Sequence, residues 1–188
     1  RGLVKRYGGA RAGGFRGAAA SELPAALDGV DLTLYADECA VLLGPNGAGK
    51  STLIAILVGV LPASAGACAV LGRDVATAMP TIRRSLGWCP QHDAGDDELS
   101  VREALLLFAG LKGVRGPAAA DELAELLRST CLVHLAARRL RELSGGQRRR
   151  VSACCAFSGG ARFVVLDEPS SGLDPISRRH LWELVRAR

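Results

Sequence analysis

The chain has 188 residues, of which 48% are hydrophobic and 23% charged, and its formal net charge is +5. These proportions are typical of a globular protein and exclude a disordered or collagen-like chain, and the length suits one domain with at most two subdomains. The longest nearly continuous apolar segment, residues 53–63, contains Gly59 and Pro62 and is shorter than the ~18–20 residues that cross a bilayer. The small positive surplus does not indicate a nucleic-acid-binding tail.

The cysteines indicate the redox compartment of the protein, and the chain ends indicate whether the sequence is part of a longer one. No CxxC pair occurs among the six cysteines, which favours a reducing compartment over a disulfide scaffold or a metal cluster. The sequence starts at Arg1 rather than at Met and stops inside a predicted helix, so we expect a piece of a longer protein. Residues 8–22 combine Gly, Ala and Arg without a hydrophobic period, which predicts a flexible surface loop.

Hydrophobic patterning predicts a mixed α/β order of elements. Residues 27–35 roughly alternate apolar and polar side chains and predict a half-buried strand, whereas the continuous apolar run at 39–43 predicts a fully buried strand. A glycine-rich loop at 44–51 follows, and then an apolar helical stretch at 52–60. Further strands are predicted at 67–71 and 163–166, and helices at 101–112, 118–128 and 176–188.

Three of the predicted helices have marked starting points. Ser100 with Glu103 three residues later has the spacing of a capping box. Pro117 precedes a run of helix-forming residues, and Asp174 followed by Pro175 predicts an N-cap with proline in the first turn.

The loop GPNGAGKS at 44–51 fits the pattern GxxxxGK[ST] between a predicted strand and a predicted helix. Its glycines allow several backbone N–H groups to converge on one anion at a helix N-terminus, which favours phosphate. Lys50 would reach the β- and γ-phosphates, and the Ser51 hydroxyl would coordinate Mg²⁺. The flanking elements disfavour a glycine-rich turn with a chance lysine. The predicted nucleotide-binding residues here are Gly44, Pro45, Asn46, Gly47, Ala48, Gly49, Lys50, Ser51 and Thr52.

Two adjacent carboxylates, Asp167 and Glu168, follow the predicted strand at 163–166. In a phosphate-loop enzyme Asp167 would hold Mg²⁺ through water, and Glu168 would polarise the attacking water. Solvated acids at a strand end are the alternative for such a pair alone. The phosphate loop elsewhere in the chain makes the catalytic interpretation the stronger one.

The segment LSGGQ at 143–147 predicts a second anion-binding helix start. Ser144 suits an N-cap, Gln147 has the capping-box position, and Gly145 and Gly146 leave the backbone N–H groups uncovered. One nucleotide seldom needs two such sites, so this start is predicted to serve a nucleotide held by a partner domain. An ordinary glycine-containing helix start remains the alternative for this segment alone.

The motifs GPNGAGKS, WCPQH, LSGGQ and LDEPSSGLDP, in this order, resemble the nucleotide-binding domain of ABC transporters over nearly the whole chain. The resemblance implies that Gln91 is the lid glutamine that senses Mg²⁺ and the membrane domain, and that residues 171–174 communicate across a dimer. Tyr7 matches the aromatic residue on which adenine stacks, with Phe15 as a rival. The segments at 87–93 and 177–188 resemble the eukaryotic A subfamily, mainly lipid exporters or flippases.

The resemblance implies a fold and an activity. We expect an α/β phosphate-loop NTPase core over residues 1–90 and 142–188, with a small antiparallel β subdomain and a helical subdomain at 91–141. The expected function is to bind MgATP, close head to tail with a second ABC ATPase domain, and hydrolyse ATP to drive attached transmembrane domains. The A-subfamily resemblance implies a lipid transporter, with this domain at the cytosolic face of a membrane.

Two other functions are weighed against this one. A soluble ABC ATPase of translation or chromosome maintenance would use the same site, although the chain has no room for a long coiled coil between Lys50 and Ser144. A non-hydrolytic ATP-binding module is disfavoured by intact Lys50, Asp167 and Glu168. The resemblance also implies a later switch histidine that His180 does not match, so the 188 residues alone are expected to bind ATP better than they hydrolyse it.

Six arginines around LSGGQ form a basic cluster that could meet a partner's phosphates or an acidic segment. A solvated helix face is the favoured interpretation. The cluster consists of Arg138, Arg139, Arg141, Arg148, Arg149 and Arg150.

Overall fold

The computed structural model describes residues 1–7, 24–92 and 95–187. They fall into two compact units, residues 1–79 and residues 80–188. The loop predicted at 8–22, with Phe15 in it, lies outside the described residues. Among the helices of the described part, none is both long and apolar enough to cross a membrane.

The first unit contains two small antiparallel sheets and one complete helix among its described residues. Strand β1, Leu3–Arg6, pairs with β2, Ala25–Val30, and helix α1, Lys50–Leu57, packs against them. A short hairpin, β3 Ala69–Val70 and β4 Arg73–Asp74, follows. The core consists of Leu3, Leu27, Leu53 and Ile56. The antiparallel sheet and the helix after the glycine-rich loop are therefore confirmed.

The fully buried strand predicted at 39–43 is not formed. The structure assigns no strand to these residues, and the side chains of Val41 and Leu43 are 67% and 84% exposed. A central strand requires hydrogen-bonding neighbours as well as apolar side chains, and no described strand pairs with this segment. The strand predicted at 27–35 likewise ends early, at Val30.

The second unit is built around one buried helix. Helix α2, Val75–Ile82, contains the boundary between the units and has a kink at Ala78, ahead of Pro80. Helix α5, Gly145–Phe157, is buried along most of its length. The other elements are β5 Leu86–Cys89, α3 Val101–Leu111, α4 Gly116–Ser129, two short 3₁₀ helices at Val133–Leu135 and Leu140–Glu142, β6 Phe163–Leu166 and α6 Pro175–Arg186.

The helix starts predicted from the sequence are confirmed. The Ser100 hydroxyl accepts a hydrogen bond from the Glu103 backbone N–H at 3.2 Å, and the Glu103 carboxylate accepts one from the Ser100 N–H at 2.8 Å. Asp174 caps α6 by accepting from the backbone N–H groups of Ile176 and Ser177, each at 3.0 Å. Side-chain acceptors thus satisfy N–H groups that have no partner inside the helix.

Strands β5 and β6 are parallel, with Leu86 opposite Phe163 and Cys89 opposite Leu166. Helix α5 crosses this pair so closely that a Cβ atom at Gly87 would lie 1.8 Å from the Ala156 carbonyl oxygen. Real side chains cannot occupy that space, so glycine at 87 is a packing requirement. The sequence pattern missed β5 because a glycine and a following proline interrupt its short apolar run.

We expect Gly87→Ala to lower the free energy of unfolding by about 3 kcal/mol or more, because strand and helix must separate to admit the methyl group. Urea unfolding of the purified protein measures the change. Gly110→Ala is the matched control, since Gly110 lies in α3 with no atom within 4 Å of an added Cβ. That control should leave stability unchanged or raise it by up to about 1 kcal/mol. Equal midpoints for the two variants would contradict the close approach.

Candidate functional site

The phosphate loop has the backbone that its glycines predict. Gly47 and Gly49 adopt φ angles of 82° and 88°, in the left-handed region that glycine enters without strain. Helix α1 starts directly after them, at Lys50. The Lys50 ammonium donates to the carbonyl oxygens of Gly44 at 2.7 Å and Pro45 at 2.9 Å. The charge is therefore held at the loop, beside the N-terminus of a helix.

Gly49 has a second reason to lack a side chain. A Cβ atom there would lie 2.3 Å from the Ala26 carbonyl oxygen and 2.9 Å from Leu27 Cδ2. The backbone of the loop at Gly49 therefore packs directly against strand β2. Local packing therefore requires a glycine at position 49.

Tyr7 lies beside the start of α1. Its hydroxyl is 3.1 Å from the Thr52 hydroxyl, and the Lys5 ammonium lies 5.4 Å from the centroid of its ring. The Tyr7 residue is 50% exposed. The tyrosine is thus tethered next to the phosphate loop while much of its surface stays accessible.

The acidic pair and Gln91 come together at one edge of the second unit. Because β5 and β6 are parallel and in register up to Cys89 and Leu166, the residues that follow them emerge side by side. The Gln91 amide nitrogen donates to a Glu168 carboxylate oxygen at 3.2 Å. The Asp167 backbone N–H donates to the Cys89 carbonyl at 2.9 Å. Two segments 77 positions apart thereby form one polar site.

The backbone of Glu168 is unusual. Its φ angle is 47°, in the left-handed region that costs a non-glycine residue of order 1 kcal/mol or more. The surrounding bonds must compensate for this conformation, which turns the chain sharply after β6. Strain of this kind is concentrated at functional sites.

The start of α5 has the capping box that the sequence predicts for LSGGQ. The Ser144 hydroxyl accepts from the Gln147 N–H at 3.3 Å, and the Gln147 side-chain oxygen accepts from the Ser144 N–H at 3.0 Å. A Cβ atom at Gly145 would meet no atom within 4 Å. The helix therefore begins with a complete capping box and an open first turn.

The loop before α6 lies beside that start. A Cβ atom at Gly146 would come within 3.5 Å of Leu173 Cδ2 and 4.0 Å of an Asp174 carboxylate oxygen. Hydrogen bonds from the Ser177 side chain and backbone, and from the Ile176 backbone, hold the pKa of Asp174 below its ordinary value. The residues at 171–174 and the LSGGQ segment are therefore neighbours within one unit.

The prediction of a solvated basic face holds for Arg138, Arg139 and Arg141, which are exposed, but is wrong for Arg149. Glu98 pairs with Arg139 at 2.6 Å and Arg141 at 2.5 Å, and Asp97 pairs with Arg148. Arg149 is only 5% exposed. Its guanidinium donates to backbone carbonyls next to Gln91 and in the acidic pair. Charge composition gave no signal for this role, because buried and solvated arginines look alike in a basic run.

Comparison with known proteins identifies a family model and relatives that match most of the chain. A family model described as ABC transporter matches residues 27–171. Human retinal-specific phospholipid-transporting ATPase ABCA4 is 43% identical over 160 residues, and rat ATP-binding cassette sub-family A member 7 is 44% identical over 160 residues. Each alignment covers 85% of this chain and 7% of the relative, so the chain spans a small part of these proteins.

A solved structure, described as the ATP binding subunit of an ABC transporter, superposes with a TM-score of 0.83 at 28% identity, covering 100% of this chain and 72% of that one. The fold is that of an ABC-type phosphate-loop ATPase with a mixed α/β architecture. The chain belongs to the ABC transporter family, as a nucleotide-binding domain similar to those of the A subfamily.

The low pKa of Asp174 predicts a pH effect on stability. Its carboxylate stabilises the folded state above its unfolded-state pKa of about 3.9, and this contribution is lost as the pH falls through the lower folded-state pKa. Asp174→Asn keeps an oxygen acceptor for the cap but does not titrate. We expect the stability advantage of the wild type over Asp174→Asn to shrink below about pH 4. Chemical unfolding from pH 2.5 to 6 measures it, and parallel curves would contradict the cap.

Proposed function

We propose that this domain binds MgATP, closes head to tail with a second ABC ATPase domain, and hydrolyses ATP to power lipid transport across a membrane. The observation that carries the hydrolytic part is the hydrogen bond between Gln91 and Glu168. It joins a carboxylate suited to polarise water and an amide suited to sense the metal at one strand edge.

The phosphate loop fits a nucleoside triphosphate. Its residues from Gly44 to Ala48 are exposed, its N–H groups lie at the start of α1, and Lys50 adds a full positive charge. Such an arrangement favours the β- and γ-phosphates. Pro45, Asn46, Ser51 and Thr52 complete the proposed cradle, and Tyr7 supplies the proposed stacking surface for adenine.

The residues that the family resemblance assigns to Mg²⁺ carry oxygen donors of the kinds this cation prefers. Ser51 has a hydroxyl oxygen, Gln91 an amide oxygen and Asp167 a carboxylate. Gln91 uses its amide nitrogen toward Glu168, which leaves the amide oxygen for the metal. When bound, Mg²⁺ would neutralise charge on the phosphates.

Glu168 is the proposed general base. Its carboxylate accepts one hydrogen bond from Gln91, so the amide orients it. A water molecule activated there would attack the γ-phosphate in line with the leaving oxygen. Lys50 contributes by stabilising negative charge on the transferred group.

The start of α5 supports the head-to-tail arrangement. Ser144, Gly145, Gly146 and Gln147 form an open helix N-terminus in addition to the one at α1, and each N-terminus attracts an anion. We assign the second to the γ-phosphate of ATP on the partner domain. The neighbouring loop at 171–174 would communicate between the two sites.

Lipid transport is proposed from the relatives. Human ABCA4 and human ABCA7 are both described as phospholipid-transporting ATPases, at 43% and 42% identity. These descriptions disfavour the soluble ABC ATPase as the alternative. The proposed partners are accordingly a second ABC domain and transmembrane domains, with this domain at the cytosolic face. We also propose the core at 1–90 and 142–188 and the helical subdomain at 91–141.

Lys50→Ala should lower MgATP affinity by at least ~10-fold, because it removes a charge-assisted contact to the phosphates. Calorimetric titration of the purified protein measures the affinity, and urea unfolding checks the fold. Arg73→Ala is the matched control, since Arg73 is an exposed cation of the same unit. Equal affinities in wild type and Lys50→Ala would refute the phosphate-loop assignment.

Ser144→Arg should block binding of the partner domain's nucleotide, while the variant's own affinity for ATP stays within ~3-fold of the wild type. The reason is that the N-terminus of α1, and not that of α5, is proposed to hold the domain's own ATP.

Each proposed nucleotide site combines the phosphate loop of one domain with the LSGGQ segment of the other. Mixing Lys50→Ala and Ser144→Arg proteins leaves one such site intact and the other altered in both parts. Size-exclusion chromatography with ATP, in a Glu168→Gln background that slows turnover, should show more dimer in the mixture than in either variant alone. No such recovery would exclude the head-to-tail arrangement.

A further inference from the structure

Arg149 is a buried cation with an unusual set of partners. It lies in the second turn of α5 and is 5% exposed. One terminal nitrogen, Nη1, donates to the carbonyl oxygen of Pro90, and Nη2 donates to those of Asp167 and Glu168, the last at 3.1 Å. A single side chain therefore bridges the segment after β5 and the segment after β6.

Burying a guanidinium is costly unless its hydrogen bonds are made. Packing alone would favour an apolar residue at this buried position of α5. The planar guanidinium is, however, suited to reaching several acceptors in fixed directions. Its position is therefore better explained by what it holds in place than by stability.

The groups it holds are the two ends of the Gln91–Glu168 hydrogen bond. Pro90 directly precedes Gln91, and the Asp167 and Glu168 carbonyls belong to the acidic pair itself. The bond to the Glu168 carbonyl also fixes the peptide that follows the left-handed φ of 47°. Without it, this strained backbone could relax and carry the carboxylate away from Gln91.

We propose that Arg149 is a positioning residue for hydrolysis, which fixes the Glu168 carboxylate and Gln91 relative to each other through their backbones. The inference rests on the proposed function, in which Glu168 activates water. Arg149 itself touches neither nucleotide nor water in this role. Its effect passes through the place and direction of the carboxylate, where errors of about 1 Å can cost about 100-fold in rate.

The first test compares ATPase kinetics of full-length variants reconstituted in phospholipid vesicles. Arg149→Met keeps much of the stem but removes the donors, and should lower kcat about 100-fold while KM for ATP changes less than ~3-fold. Arg149→Lys retains one charged donor group and should recover part of kcat. The matched control is Arg150→Met: Arg150 is the next residue of α5, and its Nη1 donates instead to the Thr130 carbonyl at 2.8 Å.

Arg150→Met should keep kcat within ~3-fold of the wild type, since it removes an equal cation from the same helix but no support of Glu168. Equal losses of kcat in Arg149→Met and Arg150→Met would mean that Arg149 only stabilises α5, and would overturn the proposal. A rise in KM with unchanged kcat for Arg149→Met would overturn it as well.

A double-mutant cycle separates positioning from structure. If Arg149 acts through the Glu168 carboxylate, Arg149→Met should lower kcat little further in a Glu168→Gln protein, because the group it positions is already gone. If the fold-losses in kcat of the two single variants multiply in the double variant, the proposal is contradicted. Should Arg149→Met fail to fold, Arg149→Lys enters the same cycle with the same two outcomes.

Hydrogen exchange supplies a readout that does not need activity. Arg149→Met should speed amide exchange at 167–170 by at least ~10-fold relative to wild type, and Arg150→Met should not. Unchanged exchange would overturn the proposal even if ATPase activity fell. An inactive wild type, or one whose ATP affinity survives Lys50→Ala, would instead refute the proposed function and leave the exchange result to decide whether Arg149 holds this segment.

Discussion

The parallel pairing of β5 with β6 is the constraint on which the proposed catalytic edge depends. Two short strands in register bring residues far apart in sequence to one edge, because parallel strands end on the same side. Gln91 and Glu168 can form a hydrogen bond only because Cys89 and Leu166 are opposite each other. A slip of one residue would turn each following side chain to the other face and break this bond. Register, more than the chemistry of any one side chain, therefore defines this part of the site.

Helix α5 secures that register by close packing. Only a glycine at position 87 allows the helix to lie against β5, since a Cβ atom there would meet the Ala156 carbonyl at 1.8 Å. The Ser152 hydroxyl adds a polar contact at 3.5 Å to the Cys89 thiol, and Arg149 reaches past the strand ends to their carbonyls. Strand pairing and helix packing are thus mutually dependent, and loss of either would displace the acidic pair.

Local patterns predicted the parts of the site that local chemistry determines. The capping boxes at Ser100 and Ser144 depend on residues within a few positions of each other, whereas α1 starts at Lys50, two residues before the predicted helical stretch at 52–60. The buried strand at 39–43 was predicted wrongly because an apolar run carries no information about hydrogen-bonding neighbours. The prediction that Arg149 lies on a solvated helix face failed for a related reason. Its burial depends on backbone carbonyls about 18 and 59 positions away in the sequence. The metal ligands and the adenine-stacking role of Tyr7 stay predictions.

Helix α5 combines two roles that make opposite demands on a sequence. Its first turn must be open and polar, as at Gly145, whereas its later turns must be buried against strands. Residues four apart share a helix face, so Gly145 and Arg149 lie on one face, and Ser152 continues it toward Cys89. The Arg149 guanidinium joins this face to the carbonyls of Asp167 and Glu168. In the proposed function, one helix therefore carries both the surface offered to a partner's nucleotide and the side chain that supports Glu168.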